Sequence, residues 1–538
     1  MMTADLGLGQ HSLICCKLIE LHFGEIVARV GSYLLLNRNR HISDIVFCTK
    51  LHIRDVRKAV AVLVQHNLVT FCPNERNGSV AEYSIDTHSV YCLLRYPRYL
   101  FIIKTLYGDE SKILLEVLLN YGQSSASELI FRALKKLNGT TEGETASSLL
   151  LWEKVQFLIT NEFFVRCPLL TKLETGVPEF VAADDSAVDQ FKVPMVDTKM
   201  IEQKIRDKDA ELGEHSDSEI VWRVNHKRFT VELQNVILVN AAARRVDSVA
   251  GELLHLLLGM WGQVSNQSSQ TSTLLSSIQI KDAARRKFPG NPIVDYCEQY
   301  LRILSEDSSE LVTKCGEAGG GQFMINYENV FKNLACSTLD SIVLEKFGSK
   351  ALRLFRLTRM KLCLEQDRMQ QLSMIPAKEA KIHAFRLLKH NFLQIQELRK
   401  GTAIAAPVKS FFVFHVDLNQ VIRTALQICY KGLYNTLMRR EHELAENGRL
   451  LEKELQITTL FNDLKQAGAD EMQLADVDGL ITRPERTLLA KIHSMSNQLT
   501  LAEMQVDESI LILETYLKYC EVPPASTGSP CFKNRTIH

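Results

Sequence analysis

The apolar and polar positions of the chain repeat one order of predicted elements four times. Each repeat begins with a long amphipathic helix, continues with two shorter helices, and ends with two β-rich runs around a polar turn. This order is typical of a winged helix, in which a β-hairpin wing follows a third, recognition helix. We therefore predict a mainly α-helical chain with small β-wings, built from four tandem extended winged-helix domains.

The first repeat shows the pattern most clearly. Residues 12–36 form its predicted long helix, and Ser43 is the predicted cap of a short second helix over 44–48. The dipeptide Asn77-Gly78, between two β-rich runs, predicts the turn of the wing. The third helix begins near residue 53, and one buried stripe is predicted along it, formed by Ile53, Val56, Val60 and Leu63.

The later repeats are less regular, but the same order divides the rest of the chain. Long helices are predicted over 229–261 and over most of 329–364. Residues 169–220 lack sustained periodicity, so we predict an acidic mobile linker there, with one short helix around 198–212. The predicted division is winged helix 1 at 1–92, winged helix 2 at 93–168, the linker at 169–220, winged helix 3 at 221–327, winged helix 4 at 328–417, a helical hairpin at 418–520 and a disordered tail at 521–538.

The C-terminal part has a helical pattern throughout. Its apolar residues alternate spacings of four and three, which is typical of a coiled-coil seam. With a partner helix over 439–464 and a turn-rich tip over 468–484, the pattern predicts an antiparallel coiled coil within the chain. The seam supplies our candidate partner-binding residues, Leu488, Ile492, Met495, Leu499, Val506 and Ile510.

The formal net charge is zero, from 63 Lys and Arg against 63 Asp and Glu, which excludes a uniformly basic protein. The charges are nevertheless segregated along the chain. Residues 350–416 hold 13 bases and 4 acids, a surplus of nine positive charges. Residues 174–220 hold 13 acids and 5 bases, and residues 441–520 hold 15 acids and 7 bases, a surplus of eight negative charges in each. A local positive field that attracts nucleic acid or an acidic protein is therefore compatible with the neutral total.

Basic side chains on the second and third helices and on the first wing are the candidate nucleic-acid contacts. The alternatives are an ordinary solvated helix face, a protein-docking winged helix and, for the third repeat, bases that complement a helix dipole. The candidates are Arg54, Arg57, Lys58 and Arg76 in the first repeat, Lys281, Arg285, Arg286 and Lys287 in the third, and Lys378, Lys381, Arg386 and Lys389 in the fourth.

No catalytic signature, metal-ligand spacing or phosphate-binding loop stands in the sequence, so we expect no catalytic residues, no metal and no cofactor. The glycines at 319–321 lie between two β-rich runs without a following Lys-Ser or Lys-Thr, which favours a wing. No apolar run is long enough to span a membrane, and the 13 cysteines lack paired spacings. We expect reduced thiols in a cytosolic or nuclear protein.

Seven stretches resemble the winged-helix subunit of the RNA polymerase III heterotrimeric initiation subcomplex, a family similar to the alpha subunit of general transcription factor IIE. They follow one another along nearly the whole chain: 22–27 (HFGEIV), 63–69 (LVQHNLV), 94–99 (LRYPRY), 319–326 (GGGQFMIN), 374–381 (MIPAKEAK), 482–486 (TRPER) and 505–510 (QVDESI).

The resemblance implies a non-catalytic subunit of DNA-directed RNA polymerase III. It implies binding to two other subunits, docking on the polymerase clamp, recruitment through initiation factor IIIB and stabilisation of melted promoter DNA. The transcripts would be tRNA, 5S rRNA and other small RNAs, and the protein would be localised in the nucleus. For the animal enzyme it also implies a link to innate sensing of cytosolic DNA. The alternative function is a winged-helix assembly scaffold without nucleic-acid contact.

Overall fold

A computed structural model describes residues 9–74, 80–140, 147–168, 177, 189–207, 213, 215–264, 271–290, 293–400, 409–466, 472–473, 477 and 479–521. The chain forms two compact units, residues 1–233 and residues 234–538. Within the described residues, no helix is both long and apolar enough to cross a membrane.

The first unit is built mostly from helices, with short strands between them. Its helices are α1 Gln10–Phe23, α2 Glu25–Leu36, α3 Ile42–Thr49, α4 Ile53–Gln65, α5 Thr87–Cys92, α6 Tyr96–Tyr107, α7 Asp109–Tyr121, α8 Ala126–Thr140, α9 Ser148–Thr160 and α10 Thr198–Arg206. Its strands are β1 Val69–Pro73, β2 Ala81–Ile85, β3 Ser124–Ser125, β4 Phe164–Arg166 and β5 Val221–Val224.

The second unit begins within α11, His226–Arg245. Its further helices are α12 Ser248–Val264, α13 Ser277–Lys287, α14 Ile293–Glu306, α15 Tyr327–Phe347, α16 Ser349–Lys361, α17 Gln366–Ser373, α18 Ala377–Lys389, α19 Leu418–Glu446, α20 Gly448–Gln466 and α21 Arg483–Glu521. Its strands are β6 Leu275–Ser276, β7 Thr313–Gly316, β8 Gln322–Met324, β9 Cys363–Leu364, β10 Gln394–Lys400 and β11 Lys409–His415.

In the part of the chain that the structure describes, four small antiparallel sheets confirm the predicted winged-helix fold class. The sheets run β1-β2, β3-β5-β4, β6-β8-β7 and β10-β11-β9. In the last three, a two-residue strand just before the second helix pairs with the returning strand of the wing. An isolated bridge between Arg40 and Tyr83 takes this place in the first winged helix. These pairings attach each wing to the helices of its domain. The two-residue strands were not predicted, because they are too short to show periodicity in the sequence.

The long first helices predicted for three of the repeats are each broken in two. Gly24 separates α1 from α2 at φ +86°, and Gly348 separates α15 from α16 at φ +85°. Only glycine adopts this region without strain, so the backbone turns at these positions although the apolar pattern continues. Between α11 and α12 the break lies at Asp247, whose carboxylate accepts a hydrogen bond of 2.7 Å from the amide of Ala250.

The second wing has a boundary different from the predicted one. Strand β5, which the sequence places at the start of the third winged helix, pairs with β3 and β4 of the second. Residues 169–220 therefore lie between two strands of one sheet instead of between two domains. The described part of this insertion contains α10, within the short helix predicted around 198–212, and Ile201 is buried where α10 packs on α8 and α9.

The C-terminal helices pair in opposite directions, as an antiparallel hairpin requires. Tyr430 of α19 donates a 2.5 Å hydrogen bond to Glu514 of α21, and Lys453 of α20 lies 2.9 Å from Glu485. As the residue number rises along α19 and α20, the number of its partner on α21 falls, so the helices run antiparallel. The predicted continuous helix over 439–464 is interrupted at Asn447, the last residue before α20. Coiled-coil packing remains a prediction, and much of the predicted tip and nearly all of the tail lie outside the described residues.

Candidate nucleic-acid and partner surfaces

The third helix of the first winged helix, α4, presents a basic face to solvent. Nδ1 of His52 caps its start by accepting a 3.2 Å hydrogen bond from the amide of Arg54. Arg54, Arg57 and Lys58 are exposed, and their side chains form no ion pair with any residue that the structure describes. Three uncompensated charges on one helix face can meet phosphate groups. Arg76 lies outside the described residues.

The opposite face of α4 anchors the helix in the core. Val56, Val60 and Leu63 are buried, as the stripe predicts. Ile53, the first residue of α4, is 41% exposed, so its assignment to the buried stripe is wrong. The three buried residues suffice to fix which way the basic side chains point.

The third helix of the second winged helix, α9, has an apolar outer face. Leu149, Leu150 and Phe157 are exposed, and Glu153 is the exposed charged residue among them. Lys154 instead donates a 3.1 Å hydrogen bond to the carbonyl oxygen of Tyr107. A face of this kind is poorly suited to phosphate and well suited to a protein surface. Sequence reasoning missed it, although a helix that is apolar around most of its circumference signals a second contact face.

The basic cluster of the third winged helix lies on its second helix, α13, and is partly neutralised. Lys281 lies 3.6 Å from Glu298, and Arg285 lies 3.5 Å from Asp282. Arg286 is exposed and forms no ion pair within the described part of the chain. Lys287 approaches Nδ1 of His255 at 3.4 Å. The cluster therefore offers fewer uncompensated charges to a ligand than its sequence indicates.

The third helix of the fourth winged helix, α18, carries more uncompensated candidate bases than α4 or α13 within the described residues. Lys378, Lys381, Arg386 and Lys389 are all exposed and make no ion pair within the described residues. The structure thus brings together the four candidate residues that the sequence named in this domain. We call the exposed set Lys378, Lys381, Ile382, Phe385, Arg386 and Lys389 the α18 stripe.

Other bases of the fourth winged helix are compensated inside the domain. Asp340 of α15 is nearly buried and receives Nε of Arg356 at 2.8 Å and both terminal nitrogens of Arg359 at 2.9 and 3.1 Å. Lys350 is paired with Glu379. The surplus of nine charges counted over 350–416 therefore overstates the positive surface, since Asp340 lies outside that window.

The predicted seam residues lie along α21, with one shift at its start. Leu488 is 46% exposed whereas its neighbour Leu489 is 4% exposed, so Leu489 holds the inward position. Ile492 and Ile510 are buried. Met495, Leu499 and Val506 are half-buried.

An ion pair between a half-buried arginine and a buried glutamate joins α21 to α19. Nε of Arg440 on α19 lies 3.1 Å from the carboxylate of Glu503, and burial raises the pKa of that carboxyl group. The pairing of the two charges favours the register in which Arg440 and Glu503 lie side by side.

A groove of about 470 Å³ opens between α20 and α21. Ile457 and Leu489 are buried at its floor, and His493 lies 3.0 Å from Glu454 at its rim. Near this end of the hairpin, the Lys453 ammonium group and the capped turn at Thr482 lower the pKa of Glu485 to about 2. Apolar side chains and polar ones such as Thr458 and Arg486 line the groove together.

A serine, a histidine and an aspartate lie close together in the first unit, but not as a catalytic triad. Nε2 of His215 lies 2.8 Å from the Ser125 hydroxyl, and Nδ1 lies 2.8 Å from the carbonyl oxygen of Gly213, so Nδ1 carries the proton. Asp217 is nearest to Nε2, at 3.8 Å, whereas a triad aspartate must hold Nδ1. Asp217 instead accepts hydrogen bonds from the amide and hydroxyl of Ser127, at 3.0 and 2.5 Å, and caps α8. Among the described residues no cluster of three or more His, Cys, Asp or Glu could hold a metal.

Comparison with known proteins shows the family. A model of the RNA polymerase III subunit RPC82 helix-turn-helix domain matches residues 13–74, and the RNA polymerase III subunit RPC82 model matches residues 181–334. The DNA-directed RNA polymerase III subunit RPC3 of Danio rerio is 33% identical over 94% of this chain and 98% of its own length. The Homo sapiens protein of the same name is also 33% identical, with the same coverage. This chain belongs to the RPC3 family of RNA polymerase III subunits.

Two further models of the RPC3 family fall on the C-terminal half. The POLR3C C-terminal winged-helix domain matches residues 339–416, which contain α16 to α18 and their wing. The RPC3 helical hairpin domain matches residues 449–512, which cover α20 and most of α21. A more distant RPC3 relative, from Dictyostelium discoideum, is 27% identical over 53% of this chain. The α18 stripe and the hairpin groove therefore lie in the parts of an RPC3-family chain that these two models describe.

Proposed function

We propose that this chain is the non-catalytic winged-helix subunit of a heterotrimer within RNA polymerase III. In this proposal it binds two other subunits, docks on the polymerase clamp, supports recruitment through initiation factor IIIB and stabilises melted promoter DNA. The genes served are those for tRNA, 5S rRNA and other small RNAs, and the protein works in the nucleus. Family membership supports the assignment to the polymerase.

The uncompensated basic face of α4 is the observation that carries the nucleic-acid part of the proposal. Arg54, Arg57 and Lys58 point away from a buried stripe, and no described acidic side chain neutralises them. Beyond Lys58 the same face continues with Ala61 and Gln65, which are small or polar. Apart from Ile53 at the start of the helix, the described part of this face exposes no large apolar side chain, so it can approach a phosphate backbone closely.

The salt dependence of DNA binding tests this face. We expect the triple variant Arg54→Gln/Arg57→Gln/Lys58→Gln to lower the slope of log affinity against log salt by about 2 on single-stranded DNA, because each phosphate contact contributes roughly 0.7. The measurement is fluorescence anisotropy of the full-length chain with a labelled single strand. The control removes three charges from the acidic insertion, with Lys199→Gln, Lys204→Gln and Arg206→Gln.

An equal slope for the α4 variant and the wild type would count against contact at this face. Absence of small-RNA polymerase from the material that co-purifies with the tagged chain would overturn the assignment to the complex. The two measurements are independent, so the DNA contact and the assembly can fail separately.

The second candidate function, a protein-assembly scaffold, is favoured by the apolar face of α9. Leu149, Leu150 and Phe157 are exposed where a DNA-reading helix would present polar side chains. We expect Leu149→Ser/Phe157→Ser to reduce co-purification of a partner subunit while leaving DNA affinity unchanged. If DNA affinity falls instead, the scaffold reading of α9 is wrong.

A further inference from the structure

The α18 stripe is a single coherent face. At 3.6 residues per turn, its six side chains fall within roughly 140° of the helix circumference. Ala380, Ala384 and Leu387 are buried on the opposite side and hold α18 against its own domain. The direction of the stripe is therefore fixed by the core.

The charge of the stripe is uncompensated. Its four bases make no ion pair with described residues, and the acidic residue of the same helix, Glu379, is already held by Lys350. The pKa of Glu379 is lowered by its hydrogen bond to that lysine, so the carboxylate stays ionised and bound. A ligand for this surface must bring negative charge.

Two large apolar side chains lie among these bases. Ile382 is 53% exposed and Phe385 is 64% exposed. An isoleucine side chain forms no hydrogen bond with phosphate or with a base, so its burial needs an apolar surface on the ligand, which a phosphate backbone lacks. Apolar side chains surrounded by charged ones are the usual anatomy of a protein interface. The α4 face differs, because Ala61 and Gln65 continue the line of its bases and Ile53, its exposed large apolar side chain, lies at the end of the helix.

We propose that the α18 stripe docks an acidic segment of a partner protein, whose apolar side chains cover Ile382 and Phe385 and whose carboxylates meet the surrounding bases. The fourth winged helix is then a protein-docking module, whereas α4 of the first faces nucleic acid. This goes beyond the proposed function, which assigns no ligand to α18.

A crosslink from the centre of the stripe tests the proposal. The full-length tagged chain carries the photoreactive residue p-benzoylphenylalanine in place of Phe385 and is purified with the complex that it forms in cells. We expect the crosslinked product to be a protein segment with more Asp and Glu than Lys and Arg. Polymerase III subunits in the same sample report separately on the proposed function, so the two can fail independently.

Affinity measurements then test the contacts. A synthetic peptide of the crosslinked sequence is titrated against the full-length chain, and we expect Phe385→Ala and Lys381→Glu/Arg386→Glu each to weaken binding by about tenfold or more. The matched controls are Phe101→Ala, at a phenylalanine that is 70% exposed on α6, and Lys332→Glu on α15. Both controls should leave the affinity within a factor of about 2, the size typical of substitutions outside a binding hot spot.

A crosslink to nucleic acid overturns the proposal, as does a peptide without an acidic surplus or no crosslink at all. Stripe variants that bind the peptide as tightly as the controls do also overturn it. Single-stranded DNA of about 30 nucleotides is titrated in parallel, because an aromatic side chain could also stack on a base. A loss of DNA affinity in Phe385→Ala equal to the loss of peptide affinity would assign the stripe to nucleic acid.

Discussion

Removal of the Asp340 carboxylate should loosen the fourth winged helix. Asp340 lies on α15, and both of its arginine partners lie on α16 beyond the turn at Gly348. The contact therefore joins the two halves of a helix pair that the glycine separates. In the variant Asp340→Ala, Arg356 and Arg359 lose their shared counter-ion.

The two arginines should contribute unequally. The Arg356 side chain is more than half exposed, so its single 2.8 Å bond is screened and contributes about 0.5 kcal/mol. Arg359 is less exposed and binds through two nitrogens, which suggests roughly 1.5–2 kcal/mol for hydrogen bonds to a charged group. We expect Asp340→Ala to reduce the local free energy of opening by about 2 kcal/mol, or roughly thirtyfold in the opening equilibrium.

Hydrogen exchange followed by mass spectrometry on the full-length chain measures this opening in α15 and α16. The matched control, Lys350→Gln, breaks a more exposed pair with Glu379. It should change the local free energy of opening by less than about 0.5 kcal/mol. A double variant with Arg359→Gln should cost little more than Asp340→Ala alone, because both remove one interaction. Unchanged protection of α16 in Asp340→Ala, or a loss no larger than that of the control, would refute the reasoning.

Three further changes test the first unit. Burial lowers the pKa of His226 to about 4, so as the pH falls below 6.5 the unfolded chain takes up a proton on His226 before the folded chain does. The free energy of unfolding should therefore fall by about 2 kcal/mol between pH 7 and pH 5. Denaturant titrations of His226→Gln should show a weaker dependence of the free energy of unfolding on pH. Asp217→Ala removes two hydrogen bonds from Ser127 and should lower the local free energy of unfolding by about 1–2 kcal/mol. Faster proteolytic cleavage within residues 189–207 would show this loss. Gly122→Ala would place Cβ 2.6 Å from the carbonyl oxygen of Gln65 at a φ of +75°, so we expect a loss of about 1–3 kcal/mol in the same titrations; an unchanged midpoint would contradict it.

Sequence periodicity was sufficient to predict most of the helices and the wings of the first, third and fourth winged helices. The buried positions Val56, Val60 and Leu63 follow from spacing alone, because one face of α4 meets the core. The breaks at Gly24 and Gly348 did not follow from it, since the apolar pattern continues across them and only the backbone angle reveals the turn. The assignment of β5 to the second wing depends on a pairing across the whole insertion, which no local pattern contains.

The candidate surfaces divide in the same way. The sequence by itself determined which helices are basic and placed Lys378, Lys381, Arg386 and Lys389 on one helix, because helical spacing depends only on position along the chain.

Only the tertiary structure decided which charges are free to act. Asp340 is brought to Arg356 and Arg359 by the packing of α15 on α16, while the α18 bases receive no counter-ion from any described residue. The same packing turns Ile382 and Phe385 outward. Charge compensation and exposure depend on which elements meet in space, and that is set by the packed core rather than by the order of residues.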